Sequence, residues 1–138
     1  MDQKPITVQA VVNAAIEKVW EYWTAPEHIV GWAFASDDWG ASNPVNDLRP
    51  GGSFSTHMAA KDGSAGFDFA GVYTAVREHE LIAYDLGDSR HVEIEFTPSP
   101  EGVAIKQTFD PENEYPLEYQ KSGWQAILDN FKKYAEGQ

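Results

Sequence analysis

The sequence contains no cysteine, which removes disulfide bonds, thiolate metal ligation and a thiol nucleophile and fits a reducing compartment. Basic residues are also few. Only 10 Lys and Arg stand against 22 Asp and Glu, for a formal charge of −12. The longest basic run is the pair Lys132 and Lys133, and no basic stripe interleaves with aromatic residues. A surface of that sign repels a phosphate backbone or an anionic membrane, so nucleic acid is not an expected partner. Long apolar runs are missing too: nothing approaches the roughly 20 residues of a membrane helix, so no membrane insertion is expected. The segment from Met1 to Pro5 has no basic stretch leading into an apolar one, and no secretory signal is read there. The expected address is the cytoplasm. Phosphate loop, dinucleotide fingerprint, nucleophile elbow and kinase signature are all absent from the sequence, and Gly51-Gly52 alone specifies none of them. No cofactor is expected.

What is present fits one folded unit. The 138 residues are near the commonest size of a domain and suffice to bury about two-thirds of the unfolded surface, so a single domain is expected over 1–138. Apolar residues make up 42% and charged residues 23%, values that exclude disordered and fibrous classes. Five Trp, six Tyr and seven Phe are many for so short a chain. Rigid rings fill cores, and they also make good pocket walls.

Ile6, Val8, Ala10 and Val12 alternate with Thr7, Gln9 and Val11, which predicts an opening strand. Asn13 is the expected cap of a helix over Ala14–Thr24, where Ile16, Val19, Trp20 and Trp23 recur at helical spacing. Pro26 suits the first turn of a second short helix ending near Trp32. From Phe34 to Gly52 closely packed turn signals predict an irregular loop, with at most a short edge strand inside. Extended stretches follow at Ser53–Ala60, Phe67–Arg77, Leu81–Leu86, Arg90–Thr97 and Val103–Phe109. Their short spacers can join only antiparallel neighbours. The last segment, Pro116–Tyr134, places Leu117, Trp124, Ile127, Leu128, Phe131 and Tyr134 on one broad apolar face. The expected architecture is α+β: a curved antiparallel sheet of six or seven strands buried against this long helix.

Strand parity puts Phe54, Thr56 and Met58 on one face of their strand, Phe67, Phe69, Gly71 and Tyr73 on one face of theirs, and Val92, Ile94 and Phe96 on one face of theirs, opposite His91, Glu93 and Glu95; the apolar rows are expected to face the helix. Gly71 either marks a bulge or leaves room for a ligand or for the helix. Gln107 is a polar group in the apolar row Val103, Ile105, Gln107 and Phe109. It is read either as a ligand contact or as a satisfied core amide. Of the four histidines, none pairs at helical spacing or joins carboxylates in a metal pattern, so no metal site is expected. His91, Glu93 and Glu95 read as an exposed strand face. Asp47 and Arg49 read as an ion-pair clasp in the loop, and Asp110, Glu112, Glu114 and Glu118 as charge favoured near the start of the last helix.

Four separated motifs carry a family resemblance: Ile16 to His28 (IEKVWEYWTAPEH), Gly51-Gly52-Ser53-Phe54, Gly71-Val72-Tyr73, and Gly123-Trp124-Gln125-Ala126-Ile127-Leu128. With their order and spacing, the chain from about Ile6 to Ala135 resembles the homologues of the activator of heat-shock-protein-90 ATPase, within the START-like (SRPBCC) superfamily. The resemblance implies a helix-grip fold, β-α-α-β(5–6)-α, enclosing a deep cavity. It also raises a chaperone contact. It does not choose a function, because one fold serves many.

The function expected is binding of a small apolar or amphipathic molecule in an aromatic-lined cavity, with Trp32, Phe34, Trp39, Phe54, Met58, Phe69, Tyr73, Gln107, Trp124 and Leu128 as lining candidates. The loop from Phe34 to Gly52 is expected to close the cavity like a lid. The alternatives are a small cyclase or hydrolase using Tyr73, Gln107 or a loop Asp to move protons, and a chaperone-interacting module. A monomer or weak dimer is expected.

Overall fold

The tight turns between Ser53 and Phe109 force each strand to lie beside its predecessor, and this dictates the sheet. The computed structural model describes residues 4–87, 90–112 and 115–138. Its elements run β1 (Ile6–Val12), α1 (Ile16–Thr24), α2 (Pro26–Ile29), β2 (Trp39–Asn46), β3 (Ser53–Ala60), β4 (Gly66–Arg77), β5 (Leu81–Leu86), β6 (His91–Ser99), β7 (Gly102–Phe109) and α3 (Leu117–Glu136). Seven antiparallel strands form one curled sheet in the order β1-β7-β6-β5-β4-β3-β2. The meander is consecutive, and β1 returns to pair with the last strand, Val8 opposite Gln107 and Val12 opposite Val103.

The core lies where the concave face meets α1 and α3. Cross-strand register aligns Gln107, Ile94 and Ile82 in one inward row and Phe109, Val92 and Tyr84 in the next. Val92, Ile94, Ile105 and Phe109 are buried there with Val19, Leu128 and Phe131 from the helices. The inward parity expected for β6 and β7 is the one observed. α3 also protects an edge. Gln125 Nε2 donates to the Gln9 carbonyl (3.0 Å) and Lys132 Nζ to that of Val11 (2.6 Å). These bonds occupy carbonyls of β1 that face no further strand, which blunts edge-to-edge pairing.

Several boundaries differ from the sequence reading. α1 begins at Ile16 with Ala15 as its N-cap and no side-chain cap. Asn13 instead donates its backbone N–H to Glu136 at the end of α3 (2.8 Å), so the polar residue ties two elements together. α2 stops at Ile29, and the chain turns through Gly31. A Cβ on Gly31 would stand 2.4 Å from the Tyr134 ring, a closeness that glycine alone permits. Leu117 is exposed rather than on the buried face.

The largest difference concerns the segment Phe34–Gly52, expected as an irregular loop with at most a short edge strand. Trp39–Asn46 is an edge strand of eight residues paired with β3. Its turn-like residues are absorbed by a register shift between Ser42 and Val45, with Asn43 in the left-handed region at φ 51°. An edge strand tolerates Pro44 there because one side of it has no hydrogen-bonding partner. Gly71 is likewise not a bulge. The irregularity in β4 falls between Tyr73 and Ala75, and a Cβ on Gly71 would meet the Asp85 carbonyl oxygen at 2.7 Å and the Phe54 ring at 3.0 Å.

Candidate functional site

Core packing is complete on the β1 side, but the sheet curls away from α3 toward β3 and β4 and leaves a cavity of about 310 Å³. Its walls come from every layer: Trp23, Ile29 and Trp32 from α1, α2 and the turn after it; Val45 and Asn46 from β2; Phe54, Thr56 and Met58 from β3; Phe67, Phe69 and Tyr73 from β4; Ile82 and Tyr84 from β5; Gln107 from β7; Trp124 and Ile127 from α3. The rings brace one another. Phe54 lies 4.7 Å from Tyr84, 5.2 Å from Tyr73 and 5.8 Å from Phe69, while Phe69 meets Trp124 at 6.0 Å. Trp124 in turn stacks on Phe109 at 4.0 Å and 10°. Ring-on-ring support of this kind fixes rotamers and keeps the space open.

Of the residues singled out from sequence, Trp32, Phe54, Met58, Phe69, Tyr73, Gln107 and Trp124 line the cavity. Phe34, Trp39 and Leu128 do not. Phe34 follows the turn after α2, and its carbonyl accepts a hydrogen bond from Asn130 (2.9 Å). Trp39 starts β2 and packs 6.1 Å from Phe67 on the sheet edge. Leu128 is fully buried among core residues, one position beyond the lining Ile127. Trp23, Asn46, Thr56, Tyr84 and Arg90 line the cavity without having been singled out. Thr56 was legible as the middle of the row Phe54–Met58. Tyr84 and Arg90 were not, since the run Leu81–Leu86 has no alternation and Arg90 sits at a turn.

Polar groups on the wall fall into two sets. The first is a chain: Tyr73 Oη donates to Asn46 Oδ1 (2.5 Å), and Asn46 Nδ2 donates to the Thr24 carbonyl (2.7 Å), which ties β4 and β2 to the end of α1. Trp32 Nε1 is similarly held by the Tyr22 carbonyl (2.9 Å). The second set, Thr56, Tyr84 and Gln107, is buried and makes no side-chain hydrogen bond among the described residues. Burial pushes the Tyr73 phenol well above its usual pKa, against the bond to Asn46. Burial raises that of Tyr84 further, with Tyr73 adding to the rise and the charge of Arg90 opposing it. Both phenols therefore stay protonated at neutral pH; Tyr73 donates to Asn46, and Tyr84 keeps a proton it could donate. Among the described residues, neither a carboxylate nor an imidazole lines the cavity.

The histidines lie elsewhere. His57 pairs with Asp68 across β3 and β4 (2.8 Å), and His91 reaches Asp85 (2.7 Å) and Glu93 (3.2 Å). The pKa of His91 is raised, first by the bond to Asp85. Among the described residues no group of three His, Asp or Glu could hold a metal ion. Asp47 does clasp Arg49, at 2.9 and 3.0 Å. The residues before α3 are organised by Gln120, which accepts from the Glu112 N–H and donates to the Glu112 and Tyr115 carbonyls. Asp110 does not cap α3 but accepts from the His91 N–H (2.9 Å), and Glu114 lies outside the described residues.

A curled antiparallel sheet gripping one long C-terminal helix, with a cavity between them, defines a START-like protein. Residues 13–136 match the family described as Activator of Hsp90 ATPase homolog 1-like protein, and the chain belongs to that family. The solution NMR structure of the AHSA1-like protein from Aeromonas hydrophila superposes with a TM-score of 0.91 at 43% identity, covering 96% of this chain and 92% of that one. A solution structure from Cytophaga hutchinsonii gives 0.80 at 50% identity, covering 98% and 92%. A crystal structure from Chromobacterium violaceum gives 0.86 at 20% identity over 97% and 99%, a likeness of fold alone. No curated protein matches the chain. Among the described residues, no helix is long and apolar enough to cross a membrane.

Proposed function

We propose that the protein binds a small apolar or amphipathic molecule in the cavity between the sheet and α3. The carrying observation is the cavity itself: about 310 Å³, walled by mutually braced aromatic rings. That is a volume at the low end of small-molecule sites, which suits a compact ligand better than a long acyl chain. Binding fits better than turnover. The tyrosines are held far from the neutral range by burial, so neither can accept a proton there. Met58 lines the cavity and is itself buried, so Met58→Trp should fill the space. An apolar reporter dye such as Nile red should bind the parent protein and bind the variant weakly, with circular dichroism unchanged. Equal dye affinity in the two would refute the site.

A chaperone contact is the second reading. It rests on the family description and on an outer patch where Tyr115, Leu117 and Tyr119 are all exposed and the two tyrosine rings lie 5.3 Å apart. Adding this protein to the Hsp90 homologue of its host should then raise ATP hydrolysis, and Tyr119→Ser should abolish the effect. An ATPase rate unmoved by the parent protein would dismiss this reading.

A further inference from the structure

The buried Gln120 amide makes three hydrogen bonds, the Trp32 indole has the Tyr22 carbonyl, and the Tyr73 hydroxyl has Asn46. Thr56, Tyr84 and Gln107 differ: they are 7%, 6% and 6% exposed, and their side chains make no hydrogen bond among the described residues. Among those residues no sealed side-chain nitrogen or oxygen lacks a partner, so the polar atoms of these three open onto the cavity they line. A buried polar group without a partner is costly until a ligand or an ordered water meets it.

Sheet register puts the three groups at two separate stations. Gln107 and Tyr84 flank β6 one inward position apart: Ile94 lies between Gln107 and Ile82, and Val92 between Phe109 and Tyr84. Thr56 lies beyond β4 and two inward positions further, since it pairs with Phe69 whereas Tyr84 pairs with Tyr73. Aromatic rings wall the stretch between the stations. Phe54 stands 4.7 Å from Tyr84 and 5.8 Å from Phe69, and Trp124, stacked on Phe109 at 4.0 Å, reaches Phe69 at 6.0 Å. An ordered water needs about two to four polar partners, and no single water reaches both stations, whereas one flat molecule does.

The Gln107 amide offers both a donor and an acceptor, the Thr56 hydroxyl does the same, and the Tyr84 phenol, kept protonated by burial, can donate. A carbonyl or carboxylate oxygen only accepts and would leave the Gln107 oxygen unmet. A hydroxyl accepts and donates through one atom, so it satisfies either station. Resting on the binding reading above, we infer that the cavity receives a flat apolar molecule carrying a hydroxyl group at each of two opposite ends. Gln107 and Tyr84 hold one hydroxyl, Thr56 holds the other, and the rings of Phe54, Phe69 and Trp124 enclose the body between them.

Displacement of Nile red by naphthalene, 2-naphthol and 2,6-dihydroxynaphthalene tests this. Affinity should rise about fivefold with each hydroxyl, as one net hydrogen bond gives. Tyr84→Phe and Gln107→Leu should bring 2-naphthol down toward naphthalene. Thr56→Val should bring 2,6-dihydroxynaphthalene down to the level of 2-naphthol and leave 2-naphthol itself within about twofold. Each variant replaces an unmatched polar group by an apolar one of similar shape, so none should lower the Tm of ligand-free protein by more than about 3 °C. A larger fall would show that the group has a structural partner and would overturn the inference. If the three probes displace the dye within about twofold of one another, if none displaces it, or if the variants leave the order of affinities unchanged, water alone serves the polar groups; the inference is then overturned and the cavity stands. If Nile red does not bind the parent protein, both readings fall.

Discussion

Adjacent residues on α3 face different environments, and this gives a sharp test of where the cavity ends. Leu128 is fully buried in the core, whereas Ile127 is partly buried and lines the cavity. Leu128→Ala removes three carbons from a filled site. The lost transfer free energy is about 2.4 kcal/mol at roughly 0.8 kcal/mol per carbon. A relaxed void of roughly 50 Å³, at about 24 cal/mol per Å³, adds about 1 kcal/mol. The expected loss is therefore about 3.5 kcal/mol. With an unfolding entropy of about 2.1 cal/mol/K per residue, this lowers Tm by about 12 °C for a chain of 138 residues. Urea unfolding followed by circular dichroism measures it. Nile red affinity should stay within about twofold below the transition, because the void opens on the core side. Ile127→Ala should do the reverse, costing about 1–2 kcal/mol because no new sealed void forms, and altering dye affinity. A loss under about 1 kcal/mol for Leu128→Ala, or loss of dye binding from the still-folded variant, would refute this division of the helix.

Three further outcomes are expected. Because the folded-state pKa of Tyr73 and Tyr84 lies above the unfolded value of about 10, the unfolded chain releases these protons first, so the contribution of these two groups to stability should be constant below about pH 10 and fall as pH rises beyond it. Absorbance at 295 nm should show both phenols ionising only with unfolding; smooth titration of all six tyrosines in folded protein would contradict this. Gly71→Ala places a methyl group 2.7 Å from a backbone oxygen of β5 and 3.0 Å from Phe54; it should cost about 1–3 kcal/mol by urea unfolding and weaken dye binding, and a neutral effect would show that the approach is not tight. EDTA should leave Tm unchanged, given that no three-residue metal set exists among the described residues; a clear fall would point to a metal site elsewhere.

Elements with a clear period were legible. Alternation in β6 and β7 named Val92, Ile94, Phe96 and Ile105 as inward, and Gln107 stood out as polar within an apolar row. Where local chemistry carries two meanings, the sequence was ambiguous. Asn43-Pro44 reads equally as a turn and as a bulge in an edge strand, and only pairing with β3 decides. Tyr84 lies in Leu81–Leu86, where only Asp85 sets one face apart from the other, so its inward aim is read from register with Tyr73 and Val92 more than from pattern. Leu128 and Ile127 differ by one helical step, about 100° around the axis, and both are apolar; which of them meets empty space depends on how far the sheet curls.

The glycine motifs that carry the family resemblance have a structural cause that joins two of them. Tyr73 stands beside the irregularity of β4, where the ladder to β5 is shifted. Its own backbone is served from another quarter: the Tyr73 N–H donates to the Gly52 carbonyl (2.8 Å), and the Tyr73 carbonyl accepts from the Gly51 N–H (2.8 Å). Gly51 adopts φ +85°, which favours glycine, and a Cβ on Gly52 would lie 2.1 Å from the Asp47 carbonyl oxygen. The Gly51-Gly52 turn thus exists to cap Tyr73, and Gly71 exists to admit the Phe54 ring that the same turn delivers. Phe54 and Tyr73 then meet at 5.2 Å on the cavity wall, with the Tyr73 hydroxyl locked to Asn46. Three glycines with no side chain of their own therefore set the positions of two lining rings. Substituting any one of them should disturb the cavity before it disturbs the core on the β1 side, because Val8, Val12, Ile105 and Phe131 share no contact with this corner of the sheet edge through hydrogen bonds or rings.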